Sequence, residues 1–407
     1  MKRTAFSARF FATSFRAARS LIAVGGILIL AACASAPTPR GTADLATVIA
    51  RATGQVAILD TSAKQFIGII DGLGDLSHAS IVYSRDGRFA FVFGRDGGLT
   101  KVDILGHKIV KRTLQAGNSI GGAISQDGKL VAVANYEPGG VRVFNSDTLE
   151  MVADIPALVG DGPDRSKVIG LVDAPDNRFV FSLWDSGEIW VADFSTGNTP
   201  VITRYKDVGI QPYDALITSN GRYYIAGLFG EDGMALLDLW HPENGVKRIL
   251  DHYGKGQERL PVYKMPHLEG WAIAGKRAFV PAVGHHEVLV IDTETWQQIG
   301  AIPVHGQPVF VMAHPDNRHV WVNFSVPDYD TVQIIDTESL AIVGELKPGK
   351  GVLHMEFSSR GDQIWLSVRD DNKVIGYNPY TFEPIAELPL PSPSGIFMSS
   401  RAGKIGL

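Results

Sequence analysis

The chain has 407 residues, of which 45% are hydrophobic and 20% charged, with 44 glycines, 22 prolines and a formal net charge of −5. That balance fits an ordered, turn-rich β protein better than a helical one, and its acidity argues against nucleic acid as a partner. The single cysteine excludes an intrachain disulfide.

Residues 1–32 carry Lys2, Arg3, Arg9, Arg16 and Arg19 and no acid, and they end in the apolar run 21–32. This is the form of a secretory signal peptide, because so short an apolar run is insufficient to span a bilayer. The segment Leu30-Ala31-Ala32-Cys33 resembles a bacterial lipoprotein box. The resemblance implies cleavage before Cys33 and lipidation of its thiol, the side chain able to form a thioether, and hence a periplasmic protein held at a membrane by lipid alone. Loss of the five cations takes the formal charge from −5 to −10 in the mature chain, which strengthens the case against nucleic acid. Residues 33–43 are small and proline-containing, as expected of a flexible tether. That leaves 44–407 for the folded body.

From there the sequence is repetitive. A short apolar strand ending in Asp or Asn recurs at 56–60, 99–103, 141–145, 189–193, 235–238, 288–292, 332–336 and 374–378. Successive end residues, from Asp60 to Asn378, lie 42 to 54 positions apart, close to the period of a four-stranded propeller blade. Between them stand tight turns followed by alternating apolar residues, such as Ser84-Arg85-Asp86-Gly87 before 89–93 and Ser125-Gln126-Asp127-Gly128 before 130–134. Gly and Asn suit such hairpins because they tolerate positive φ. The reading is an all-β, eight-bladed β-propeller, a ring that buries the apolar face of each blade and hides its edges. Residues 47–51 and 56–60 have no complete blade before them, and 395–399 form a lone strand at the end. They are expected to make one composite blade. Seven blades stay open as an alternative, because the 54-residue interval from Asp238 to Asp292 is irregular.

No helix-opening G-x-G-x-x-G, P-loop, H-E-x-x-H or G-x-S-x-G elbow is present. The informative groups are histidines that begin an inner strand at the mouth of the ring, where propeller funnels bind ligands. His78 is one, nine positions before the turn glycine Gly87 and so at the opposite end of its strand. The stretch holding Arg51, Asp60, His78, Ser84-Arg85-Asp86-Gly87 and Arg95-Asp96-Gly97 resembles the start of the heme d1 propeller of cytochrome cd-type nitrite reductases. The resemblance implies that His78 is the proximal axial ligand of heme iron, a role a neutral imidazole suits. Tyr213, in Pro212-Tyr213-Asp214, stands where the reductase carries a distal histidine, and His267, in Met265-Pro266-His267, matches a second one. A distal pocket only partly retained argues against nitrite reduction. So does the absence of C-x-x-C-H, since the reductases and the related dehydrogenase carry a fused cytochrome c. A stand-alone lipoprotein of this kind resembles the NirF family of heme d1 biosynthesis proteins. That implies a late step that turns a dihydro-heme d1 precursor into heme d1 at a propionate side chain, without covalent heme c.

A tetrapyrrole is a flat apolar disc with several carboxylates, so it needs cationic or amide donors at its rim and apolar contacts on its faces. Arg51 and Arg95 flank His78 in the resembling stretch and are the expected carboxylate clamps; the alternative is a pair of solvated strand arginines. The loop 160–166 is expected to overhang the mouth. Its Asp164 is a candidate acid or base, because making an acrylate from a propionate removes a proton from carbon; otherwise it is a turn aspartate beside Pro163. His354, in Val352-Leu353-His354, shares the alternation of the mouth and is expected to line the channel. Two functions follow. In one the protein oxidises the bound precursor, with Tyr213, His267 or Asp164 moving protons and an external acceptor taking electrons. In the other it only holds and delivers heme d1 or dihydro-heme d1. The resemblance implies the pathway's dehydrogenase and the cytochrome cd-type nitrite reductase as partners. A third class, a generic scaffold of the cell envelope, requires the His78 match to be accidental.

Overall fold

A computed structural model describes residues 40–252, 270–282 and 285–407. Thr42–Leu407 form one compact unit made of eight four-stranded antiparallel sheets. Numbered in chain order, the inner strands of blades one to seven are Ser80–Tyr83, Asn118–Ile124, Val168–Ala174, Pro212–Ile217, Ala272–Ala274, Pro308–Ala313 and Val352–Phe357. Blade eight takes its inner strand, Pro393–Met398, from the end of the chain and its other three, Leu45–Ala50, Gln55–Asp60 and Gln65–Ile70, from the start. Ala46 pairs with Met398, Thr47 with Phe397 and Val48 with Ile396. The composite blade expected from the sequence is therefore present, and the ring has eight blades. The long interval before Asp292 is a long connection ahead of a short inner strand, Ala272–Ala274, in an otherwise complete blade five.

The repeat has a hydrogen-bonding cause. Each end residue of the third strands turns its side chain back onto the amides of the following turn. Asp103 Oδ1 accepts from the Leu105 and Gly106 amides at 3.1 and 2.9 Å, and Asn145 Oδ1 from Asp147 and Thr148 at 2.8 and 2.9 Å. Asp60, Asp193, Asp238, Asp292, Asp336 and Asn378 do the same. Such Asx turns satisfy amides that the sheet leaves unpaired. The turns joining first to second strands use hydroxyls: Ser84 Oγ accepts from the Phe89 amide at 2.9 Å and Ser125 Oγ from the Leu130 amide at 3.0 Å.

Apolar clusters lie between blades. Ile49, Ile58 and Phe397 of blade eight pack with Ile81 and Val92 of blade one, so a lone blade would leave this surface in water. Inner strands all run the same way, which defines a mouth where they begin and a base where they end. His78 and Arg51 belong to the mouth; Gly87 and the other first-to-second-strand turns belong to the base.

Candidate functional site

The residues before the first inner strand are fastened at several points. Leu73 and Leu76 are buried in the blade-eight and blade-one cluster. The Asp75 carboxylate accepts the Ser77 amide at 2.8 Å, its carbonyl accepts the Arg95 amide at 2.8 Å, and the Arg51 guanidinium donates to the Ser77 carbonyl. The Ser77 hydrogen bonds, with help from Arg95 and Arg51, hold the Asp75 carboxyl below its usual pKa, so it is an anion at neutral pH. His78 follows this pinned turn, half-buried, on the wall of the central cavity.

That cavity has a volume of about 530 Å³. At the mouth it is lined by Arg51, Ser77, His78, Tyr329 and Arg369. Ile120, Ile169, Leu171, Val309, Phe310 and Val352 make apolar walls, and Asp173, Gly406 and Leu407 line it toward the base. Glycines let the inner strands pack closely around it. A Cβ on Gly122 would stand 2.3 Å from the Ala132 carbonyl oxygen, and one on Gly170, whose φ is +59°, would stand 2.8 Å from that of Tyr213. No side chain fits at either place.

Arg51 faces Arg369. Burial, and after it the Arg369 charge, lowers the Arg51 pKa from its usual value, with Asp75 opposing. Both guanidiniums still remain charged at neutral pH. Arg369 is braced by Asp370 at 2.6 Å. Two cations held at one opening present a site for an anion with two or more oxygens, such as a carboxylate.

Across the cavity, Tyr213 shares a hydrogen bond with Tyr136 and packs against Trp184 and Phe229, each with ring centroids 5.5 Å away. Burial, then the Asp214 charge, raises the Tyr213 pKa well above the usual phenol value. Tyr213 therefore keeps its proton at neutral pH and serves as a donor, not as a base. Arg95 does not line the cavity; its guanidinium lies 5.6 Å from the Tyr136 ring centroid. His354 does line it, but as a wedged wall residue. Its ring stacks on Phe397 at 5.8 Å and meets Phe310 edge-on at 5.5 Å, and its Nδ1 accepts the Ile396 amide at 3.3 Å.

The structure thus brings His78, Arg51, Tyr213 and His354 to one cavity. Asp164 is elsewhere: it is exposed, absent from the cavity wall, and its carbonyl accepts the Val159 amide at 2.8 Å to close its own loop. His267 and Cys33 lie outside the described residues. Sequence reasoning missed Arg369, Tyr329, Asp214 and Tyr136. Asp214 adjoins Tyr213 in the resembling segment, which was a usable signal. Arg369, in Arg369-Asp370-Asp371-Asn372, reads as an ordinary polar turn.

Comparison with known proteins places the chain among relatives. The cytochrome D1 heme domain family matches residues 40–402. Protein NirF of Pseudomonas aeruginosa is 64% identical over 94% of this chain and 97% of its own length, and Protein NirF of Stutzerimonas stutzeri is 60% identical over 96% and 100%. The dihydro-heme d1 dehydrogenase of Pseudomonas aeruginosa is 28% identical over 81% of this chain and 65% of its own. A solved structure of the dihydro-heme d1 dehydrogenase NirN in complex with DHE superposes with a TM-score of 0.78 at 26% identity, covering 92% of this chain and 79% of that one.

Proposed function

The chain belongs to the cytochrome D1 heme domain family, in its NirF branch, and from that premise we propose that it acts in a late step of heme d1 maturation by holding heme d1 or its dihydro-heme d1 precursor in the central cavity. The observation that carries this reading is the composition of that cavity: a half-buried imidazole, His78, beside two guanidiniums, Arg51 and Arg369, above apolar walls. Its volume of about 530 Å³ is in the range of small-molecule sites, and its chemistry matches a flat apolar ring with acidic substituents. His78 would ligate the iron of the bound tetrapyrrole, and Arg51 with Arg369 would clamp a carboxylate. The carboxylate would relieve their mutual repulsion.

Whether the bound molecule is changed turns on the proton-handling groups. A phenol with a raised pKa orients and donates, whereas an effective base has a pKa near the working pH. The state of Tyr213 therefore favours holding and delivery of the tetrapyrrole over proton abstraction from carbon by this residue. The pathway dehydrogenase and a cytochrome cd-type nitrite reductase are the proposed exchange partners. The lipoprotein box extends the proposal to location: the periplasm, with Cys33 as the lipid-bearing residue.

Mixing the purified protein separately with heme d1 and with dihydro-heme d1 and recording absorption spectra tests this. A shifted spectrum that stays constant supports holding, and conversion of the dihydro form supports catalysis. Unchanged spectra with both ligands would discard the reading.

The clamp gives a narrower expectation. Arg51→Gln and Arg369→Gln are each expected to weaken binding about tenfold, the worth of one charge-assisted hydrogen bond. Because Arg369 would touch neither the iron nor the turn that carries His78, the bound-state absorption bands of Arg369→Gln stay as in the unsubstituted protein. Titrations monitored by absorbance read both quantities at once.

A further inference from the structure

The chain enters the propeller at its base. The Thr42 carbonyl accepts a hydrogen bond from Ser399 Oγ at 2.5 Å, and the Ala43 carbonyl accepts one from Ser359 Oγ at 3.1 Å. A Cβ placed on Gly87 would stand 3.0 Å from Thr42 Oγ1. Ser359 and Gly87 sit in the first-to-second-strand turns of blades seven and one, so residues 42 and 43 pass between those turns beneath blade eight. Leu45–Ala50 then runs from base to mouth and delivers Arg51 to the cavity rim. Entry point and mouth lie on opposite faces, separated by a six-residue strand, roughly 20 Å, and by the turns at its ends.

The base also exposes large aromatics. Trp240 and Tyr380 are 55% and 58% exposed, in the turns between third and fourth strands of blades four and seven. The Arg222 guanidinium lies 5.2 Å from the Trp240 ring centroid. Exposed Trp and Tyr are the side chains that settle at lipid headgroups.

The stretch from Cys33 to Thr42 reaches at most about 30 Å fully extended and about 17 Å as a coil. A folded body the size of residues 42–407 has a radius of gyration of about 21 Å. A tether leaving the base cannot run out around blade eight and up to the plane of the mouth without being stretched to its limit, at the cost of nearly all its conformational freedom.

We propose that the anchored protein rides with its base on the bilayer surface and its mouth turned away from it. The tetrapyrrole then enters and leaves from the aqueous side, exchanged with water-soluble proteins instead of being drawn from the lipid. The inference rests on the anchor at Cys33 proposed above, and the experiment separates the two. Full-length protein matured in bacterial membranes has its one native thiol occupied by lipid. Glu243→Cys, on the base of blade four, and Lys206→Cys, at the mouth end of the neighbouring blade three, each add a single reactive thiol for a fluorescent label. Energy transfer to acceptor lipids in phosphatidylethanolamine–phosphatidylglycerol vesicles is expected to be at least twofold stronger from position 243 than from 206. Equal or reversed transfer, with the protein still on the vesicles, overturns the orientation. If the Cys33→Ser protein stays with the membranes as the unsubstituted protein does, the anchor itself is wrong and the orientation falls with it.

Discussion

His78→Ala is expected to remove the spectral shift produced by heme d1 and to weaken binding by at least about tenfold, or 1.4 kcal/mol. Iron keeps its affinity for a protein through the ligand bond, and loss of groups that only orient a ligand already costs tenfold or more. Among the described residues His78 is the imidazole at the rim of the cavity. It follows a turn held by Asp75, Arg51, Leu73 and Leu76. The substitution leaves those supports in place, so the fold should persist, and circular dichroism of the variant checks this. The comparison that decides the assignment is His354→Ala. That ring also borders the cavity but is wedged between Phe310 and Phe397 and is 8% exposed. Its removal leaves a void, so its loss is expected to lower thermal stability, by about 2–4 kcal/mol as for other large buried side chains, while the iron-ligand bands persist. If His354→Ala erased the bands and His78→Ala preserved them, the axial ligand would have been assigned to the wrong wall.

These two histidines also show what was legible in the sequence. The blade repeat could be read because its cause is local. An Asp such as Asp103 at the end of a strand caps the amides two and three residues on, and a like requirement returns in every blade. Closure could be read as well, since 47–51 and 56–60 have no complete blade before them and 395–399 is a lone strand at the end. His78 was legible through its fixed distance from Gly87 and the arginines around it. Arg369 was not, because nothing local distinguishes it. It faces Arg51 only after some 300 intervening residues close into a ring, and its significance comes from that approach. Asp164 lies off the cavity wall and exposed, although its loop precedes an inner strand, because position in the chain does not say which side chains of a loop reach the cavity. Tyr213 lines the cavity, and its protonation state depends on Asp214, Tyr136 and burial, none of which spacing records.

Arg401→Met is expected to lower stability by about 3–5 kcal/mol, which for a body of this size means a fall in Tm of about 4–6 °C. Arg401 is 1% exposed, and it grips Glu356 with both a 2.8 Å bond from Nε and a 2.6 Å bond from Nη2. Glu356 also accepts the Met398 amide at 3.2 Å. The pair therefore ties the short helix Ser399–Gly403, and the end of the closing strand before it, to the inner strand of blade seven. Tyr83 fastens the other side, donating to the Phe397 carbonyl at 2.6 Å. Removing one partner leaves Glu356 buried and uncompensated, which costs more than the pair contributes. The double substitution Arg401→Met with Glu356→Leu removes both charges and is expected to recover a large part of the loss, an outcome a simple packing role for Arg401 would not produce. The closing strand carries Ser394, Gly395 and Phe397 of the cavity wall. Ligand binding favours the closed ring, so saturating heme d1 should raise the Tm of Arg401→Met, by RT ln(1 + [L]/Kd) in free energy. Calorimetry of the single and double variants, with and without ligand, measures whether ring closure and tetrapyrrole binding are coupled through this one strand.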